Sequence, residues 1–393
     1  MRERSAFEVL VAFLKLGMTS FGGPIAHLGY FREEIVVRRR WVDDAKYSDL
    51  VALCQFLPGP ASSQLGISLG LIRAGYWGAL AAWVGFTLPS AALMAAFAYG
   101  AGAMNGPLET GVLHGLKLVA VSIVAQAVWG MARTLCPDRQ RASIACGAAV
   151  MVLLGTSSPA QMGAIVGGGI AGYRLCRTSA PGASSPLGVP VSRRVGVMAL
   201  SGFFVLLVAL PLLGGSSQRI ELFDAFYRSG ALVFGGGHVV LPLLSKAFVT
   251  PGWVNQDSFL AGYGAAQAVP GPLFTFAVYL GAVAGPSPQG TAGATLGLVG
   301  IFLPGALILL GALPFWDVLR QRVGAQAVMQ GINAAVVGLL GAALYSLLWV
   351  SSIKSSVDFA LALVGFILLT AWRTPPLIVV VLGVISGMVC AGR

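Results

Sequence analysis

Two Pro-Gly-Pro triplets interrupt apolar stretches of this chain, Pro58-Gly59-Pro60 and Pro270-Gly271-Pro272, and each follows a glutamine by three residues, Gln55 and Gln267. Proline fits the first turn of a helix, where its missing N–H would have had no partner. Each triplet is therefore expected to end one short helix and start another, whose leading N–H groups and partial positive charge face the break. Ser62 and Ser63 add hydroxyls to the first turn after one triplet, and Thr275 does so after the other. Helix-start amides, hydroxyls and glutamine amides are the donors that hold an oxyanion. A Pro-Gly-Pro kink that only lets helices pack has the same sequence. The matched pair, each with its glutamine, favours the binding reading.

Two glycine breaks accompany the proline breaks: Gly22-Gly23 within Phe21-Gly22-Gly23-Pro24, and Gly235-Gly236 within Phe234-Gly235-Gly236-Gly237. Lys15 precedes Phe21 by six residues, and Arg228 precedes Phe234 by six. A cation in apolar surroundings is costly unless paired or hydrated. One per half would neutralise a bound dianion, although both side chains also have the length to snorkel to an interface. Glu8 and Asp224 are acidic partners within reach along the chain. His27 and His238 follow the two glycine breaks and are the candidates for coupling proton uptake to anion release. His114, with Lys117 one turn on, opens a later apolar segment.

These motifs are copies of one another. Trp41-Val42 recurs as Trp253-Val254, Gly85 with Pro89 as Gly300 with Pro304, and Gly115 as Gly331, at offsets of 212 to 216 residues. The order holds over about a hundred residues, so the chain is a tandem repeat. The repeats are expected at 1–176 and 214–393, separated by a Pro/Ser/Gly-rich cytoplasmic linker at 177–194 and an extra apolar helix at 195–213 that has no counterpart in the first half.

Composition sets the solvent. Of 393 residues 56% are hydrophobic and 10% charged, against about 25% charged in a soluble domain. The net charge of +11 is spread between apolar runs rather than gathered in a patch, which speaks for a lipid bilayer and against nucleic acid. Continuous spans are expected at 76–98, 111–132, 195–213, 290–313 and 326–350, with shorter ones at 142–156, 159–176, 357–372 and 374–391. The stretches 6–31, 47–73, 221–248 and 257–284 are broken near their middles, as kinked spans or as re-entrant hairpins. If all four are hairpins, eighteen Lys/Arg, Arg38, Arg39 and Arg40 among them, share one face, and only Arg219, Lys246, Lys354 and Arg393 fall on the other. The rich face is then cytoplasmic. That choice gives nine full spans in a bacterial inner membrane, the amino terminus inside, the carboxyl terminus outside and the second half inverted relative to the first. The expected fold is an all-α polytopic membrane protein of two inverted repeats with broken helices, a recurrent plan of secondary transporters. Residues 31–44 read as an interfacial helix or a solvated loop.

Five scattered cysteines form no CxxC pair, and no cofactor is implied. The chain has no GxxxxGK[ST], HExxH or GxSxG motif, so neither ATP hydrolysis nor a nucleophilic enzyme is indicated.

The paired motifs FGGP at 21–24, RRRW to Trp41, QFLPGP at 55–60, FGGGHVVLP at 234–242 and QAVPGP at 267–272 resemble those of the chromate ion transporter family in its long, two-domain bacterial form. The resemblance covers nearly all the chain outside the linker. It implies chromate efflux conferring resistance, sulfate as a competing analogue and coupling to an ion gradient. Gly237 stands where the first half has Pro24, so the halves need not be identical at the site. The expected site combines Lys15 and Arg228 as charges with Gln55 and Gln267 as amides. The Pro-Gly-Pro helix starts and the glycine breaks at Gly22, Gly23, Gly235 and Gly236 complete it. The rival readings are a transporter of sulfate or a related oxyanion and, outside transport, an intramembrane enzyme or lipid-handling protein on the same broken helices; a homodimer is the candidate assembly.

Overall fold

Side-chain oxygens start the helices where the sequence offers them. Ser5, Asp43, Asp138, Ser192, Ser217 and Asn255 each accept a backbone N–H of the turn they precede, and Ser355 forms a full capping box with Asp358. The computed structural model describes residues 5–101, 107–155, 159–176, 187, 189–234, 236–285 and 288–391. Gly235 and most of the 177–194 linker lie outside them. Among the described residues there is no strand.

The first half runs α1 (Ala6–Thr19), α2 (Gly23–Phe31), a π-helical turn at Arg32–Arg38, α3 (Asp44–Phe56), α4 (Ala61–Ala101), α5 (Pro107–Leu135), α6 (Arg139–Leu154) and α7 (Pro159–Leu175). α8 (Arg193–Leu213) joins the halves. The second half runs α9 (Gln218–Ala231), α10 (Val240–Phe248), α11 (Gln256–Ala268), α12 (Phe276–Val283), α13 (Gly290–Ala312), α14 (Trp316–Leu319), α15 (Val323–Ala343), α16 (Val350–Ser352), α17 (Ser356–Thr370) and α18 (Pro376–Ala391). All four interrupted stretches are helix–break–helix units, with breaks at residues 20–22, 57–60, 232–234 with 236, and 269–272. α4 is bent by non-helical backbone at Ala74 and Gly75, so its leading section, 61–73, is a broken-segment helix and 76–101 is the span expected from the sequence.

Five helical segments are long and apolar enough to cross a bilayer: Ala61–Gly100, Gly111–Leu135, Arg193–Leu213, Gly290–Leu319 and Val323–Ser352. α8 leaves Met198, Phe204, Val205, Val208 and Leu212 exposed along its length, a surface suited to lipid tails. The chain is an all-α polytopic membrane protein.

The halves interlock. One apolar core gathers Phe13, Phe31, Leu50 and Phe86 from the first half and admits Leu309 and Trp316 from the second. The other gathers Phe226, Phe259, Phe276 and Ile301 and admits Met94, Val121 and Ile165 from the first. Small residues make the same exchange. Gly115 of α5 lies against Gly383 and Gly387 of α18, while Gly331 of α15 lies against Gly168 and Gly172 of α7, so closely that a Cβ at either would meet backbone. These are small-xxx-small contacts, which let helices approach to packing distance in a membrane. Gly115 and Gly331 are the two glycines that the repeat pairs, and each is packed by the other half.

Candidate functional site

The four breaks meet at one place. The Gly59 N–H donates to the Val233 carbonyl at 2.7 Å, and the Gly271 N–H donates to the Ser20 carbonyl at 2.9 Å. Each half's Pro-Gly-Pro glycine thus binds the residue just before the other half's Phe-Gly-Gly. Both glycines need left-handed backbone, with φ of +116° at Gly59 and +99° at Gly271. Both also face the other half's long helix: a Cβ on Gly59 would sit 2.9 Å from the Gly305 Cα, and one on Gly271 would sit 2.9 Å from the Ser90 Oγ. Gly305 and Ser90 follow the repeated prolines Pro304 and Pro89.

The helix starts behave as their sequence requires. Pro60 accepts the Gln64 N–H at 2.9 Å, which leaves the amides of Ala61, Ser62 and Ser63 without intrahelical acceptors. Ser62 and Ser63 are buried, and the Ser63 Oγ has no hydrogen-bond partner among the described residues. After the second triplet, Thr275 is buried and gives its hydroxyl to the Pro272 carbonyl at 2.9 Å. Gln64 fastens the first break alone: its Nε2 donates to the Pro58 carbonyl at 2.8 Å and the Gly305 carbonyl at 3.0 Å, while its Oε1 is buried with no partner among the described residues. The corresponding residue in the other half is Phe276.

Buried donors without partners gather around these breaks. Ser20 Oγ, Trp83 Nε1, Thr87 Oγ1 and Gln267 Nε2 all lack one among the described residues, as do the two ring nitrogens of His27, one a donor and one an acceptor in the neutral imidazole. His27 is 1% exposed and stands edge-on to Phe86 at 5.3 Å between ring centres, beside the Ser20 backbone. Its ring thus lies next to the segment of α4 that abuts Gly271. On the other side, His238 pairs Nδ1 with the Tyr263 hydroxyl at 2.8 Å, and its Nε2 lies 3.8 Å from where a Cβ on Gly23 would be. The Gln267 side chain lies beside the same hydroxyl. A buried polar group normally finds a partner. So many unpartnered donors around two helix starts fit a small, desolvated acceptor of several hydrogen bonds.

The structure thus brings together Gly22, Gly23, Gly236, both Pro-Gly-Pro triplets, Ser62, Ser63, Thr275, His27, His238 and Gln267. Gln55 is on an exposed face of α3. Lys15 and Arg228 are half-exposed and carry carboxylates: Lys15 donates to Glu34 at 2.9 Å, and Arg228 pairs with Asp224 one turn back. Of the acids within reach, Asp224 does pair with Arg228, but Glu8 goes to Arg73 at 2.8 Å. The Lys15 partner, Glu34, comes from the π-helical turn, where it also holds Arg39 at 2.9 Å. Burial of the Glu34 carboxyl favours its protonated form, but the hydrogen bonds from Lys15 and Arg39 outweigh this and hold it below its ordinary value of 4.5. Arg39 and Arg73 also lie over the Trp41 ring, at 5.5 and 5.3 Å. The basic 31–44 stretch is therefore tied to α1 and to the bend of α4. Sequence reasoning passed over Gln64, Ser20, Trp83 and Thr87. Their one linear signal is a polar side chain in an apolar run within a turn or two of a repeated motif.

Comparison with known proteins gives the family. The family model described as chromate transporter matches twice, over residues 7–173 and 220–388. A chromate transport protein of Pseudomonas aeruginosa is 27% identical over 385 residues, covering 95% of this chain and 89% of its own length. A probable chromate transport protein of Synechococcus elongatus is 26% identical, with 96% and 93% covered, and a chromate transport protein of Cupriavidus metallidurans is 26% identical, with 92% and 86% covered. No solved structure matches the chain. With one match on each repeat and relatives aligned nearly end to end, the chain belongs to the chromate transporter family.

Proposed function

We propose that this protein is a secondary transporter that exports chromate across the bacterial inner membrane by alternating access between two inverted halves. The observation that carries the reading is the reciprocal pair of amide bonds, Gly59 to Val233 and Gly271 to Ser20. It supports the reading by joining each Pro-Gly-Pro helix start to the other half's glycine break. The names of the relatives supply the ion, and they argue against an intramembrane enzyme on the same broken helices. In this reading the dianion takes hydrogen bonds from the first-turn amides and from Ser63, Gln267 and Thr87, with His27 and His238 positioned to exchange a proton with it. Lys15 and Arg228 supply charge at its approach by sharing themselves between Glu34 or Asp224 and the anion. The inverted arrangement, with the amino terminus cytoplasmic and the carboxyl terminus periplasmic, rests on the asymmetry of Lys and Arg and on α8, which adds one crossing between the halves.

The test is flux of labelled chromate into everted vesicles, with sulfate as competitor and a proton uncoupler added. The expected result is uptake that chromate saturates, sulfate inhibits and the uncoupler abolishes. Sulfate moving faster than chromate would make sulfate the substrate, and no flux of either would end the reading. Lys15→Ala and Arg228→Ala are expected to lower flux while the protein stays in the membrane. Unchanged flux would remove both from the mechanism.

A further inference from the structure

At the end of the bundle remote from the breaks lies a cavity of about 470 Å³, lined by His114, Lys117, Gln256, Asp257, Ser346, Val350, Ser351 and Lys354. Asp257 and Gln267 are ten residues apart on α11, about 15 Å along its axis, so this cavity is separate from the site between the breaks. We propose that it is a second binding site for a divalent oxyanion, held between Lys117 and Lys354. The choice of ligand rests on the transport reading above, while the existence of an anion site rests on the cavity itself.

The case begins with Lys117. Its side chain is only 13% exposed, and its ammonium donates at 2.9 Å to Asp257, which is 66% exposed. A shielded cation is thus neutralised by a carboxylate anchored at the solvent side, in the second position of α11, where rotation into solvent costs little. That carboxylate occupies the place where a free oxyanion would bind. Lys354 brings a second ammonium to the cavity, resting on the Val350 carbonyl at 2.8 Å, a weak partner for a full charge. Other negative charge is already committed. Asp358 gives one oxygen to His114 at 2.7 Å and the other to the backbone N–H groups of Lys354 and Ser355, both at 2.9 Å. Two lysines therefore share one removable carboxylate, since Asp358 is held in place by His114 and the backbone. Gln256, Ser346 and Ser351 spend hydrogens on helix carbonyls but line the same space. Exchange of Asp257 for a dianion would leave Lys117 paired and give Lys354 a charged partner, two charge-assisted contacts in place of one.

The experiment is equilibrium binding of radiolabelled chromate to the full chain in lipid nanodiscs. Two classes of site are expected. Lys117→Gln and Lys354→Gln should each weaken one class about tenfold, the loss of one charge-assisted contact. Asp257→Asn, which removes the competitor, should tighten that same class severalfold. The other class should respond to Ser63→Ala and to none of these three. Opposite signs separate binding from damage, since a disturbed fold would weaken all three variants together. Arg219→Gln, an exposed charge elsewhere, should change neither class. If the two lysine variants and Asp257→Asn shift in the same direction, or leave both classes unmoved, the second site does not exist. If only the class sensitive to Lys117 is found, this inference stands and the central site proposed for transport falls.

Discussion

A buried hydroxyl with no partner costs about 1–3 kcal/mol, so Ser63 and Thr87 are expensive to the fold unless something repays them. This gives a prediction with two opposite signs. Ser63→Ala and Thr87→Val should each raise thermal stability, by about 1 kcal/mol, while lowering chromate flux about tenfold, the equivalent of about 1.4 kcal/mol. Melting of the purified protein and vesicle flux measure the two; a variant that melts higher and transports normally would clear its hydroxyl of any role. Glu34 gives a prediction in pH. Its folded value is depressed by Lys15 and Arg39, so its stabilising effect is complete above the unfolded value, ordinarily 4.5. The effect is lost as pH falls below that and through the lowered folded value. Glu34→Gln should melt lower than the parent at neutral pH, and the gap should close as the buffer is acidified through the carboxylate range. A constant gap would mean that the ion cluster is not the cause.

Among the elements, those set by local chemistry were legible in the sequence. The expected 195–213 span is α8 (Arg193–Leu213), the expected 159–176 span is α7 (Pro159–Leu175), and all four breaks fall on the glycine and proline motifs. The four-residue spacing that lets Asp224 and Arg228 pair is written along the chain. What the sequence hides is which loop returns to which helix. Glu34 reaches Lys15 across nineteen positions, and Gln64 reaches Gly305 across 241, so neither pairing has a linear signature. The hidden contacts also make the elements fragile. At Gly59 and Gly271 a side chain meets both a left-handed backbone, costing about 1–2 kcal/mol, and a neighbour at 2.9 Å. Gly59→Ala meets backbone and Gly271→Ala a side-chain oxygen, so both are expected to melt lower and the first to fall further. Membrane abundance and melting temperature report this.

For the whole molecule, the two halves exchange cores, glycine contacts and break hydrogen bonds, which is what a pseudo-two-fold relation between repeats requires. Whether the axis lies in the membrane plane decides the mechanism. Single cysteines placed within 31–46 and within 246–256 are predicted to react with an impermeant reagent from opposite sides, the former only in everted vesicles. Labelling of both from one side would rule out inversion and the carrier built on it. The crossed bonds also bear on how tightly such a carrier can seal. Parting one break strands an amide in one half and a carbonyl in the other, and the same holds for its twin. A state with a single break parted therefore sits above the closed one by about 1–3 kcal/mol for each stranded group. In the carrier proposed above, every opening would bear that cost, and conformers that would let protons or small anions slip through without cargo would be kept scarce by the backbone itself.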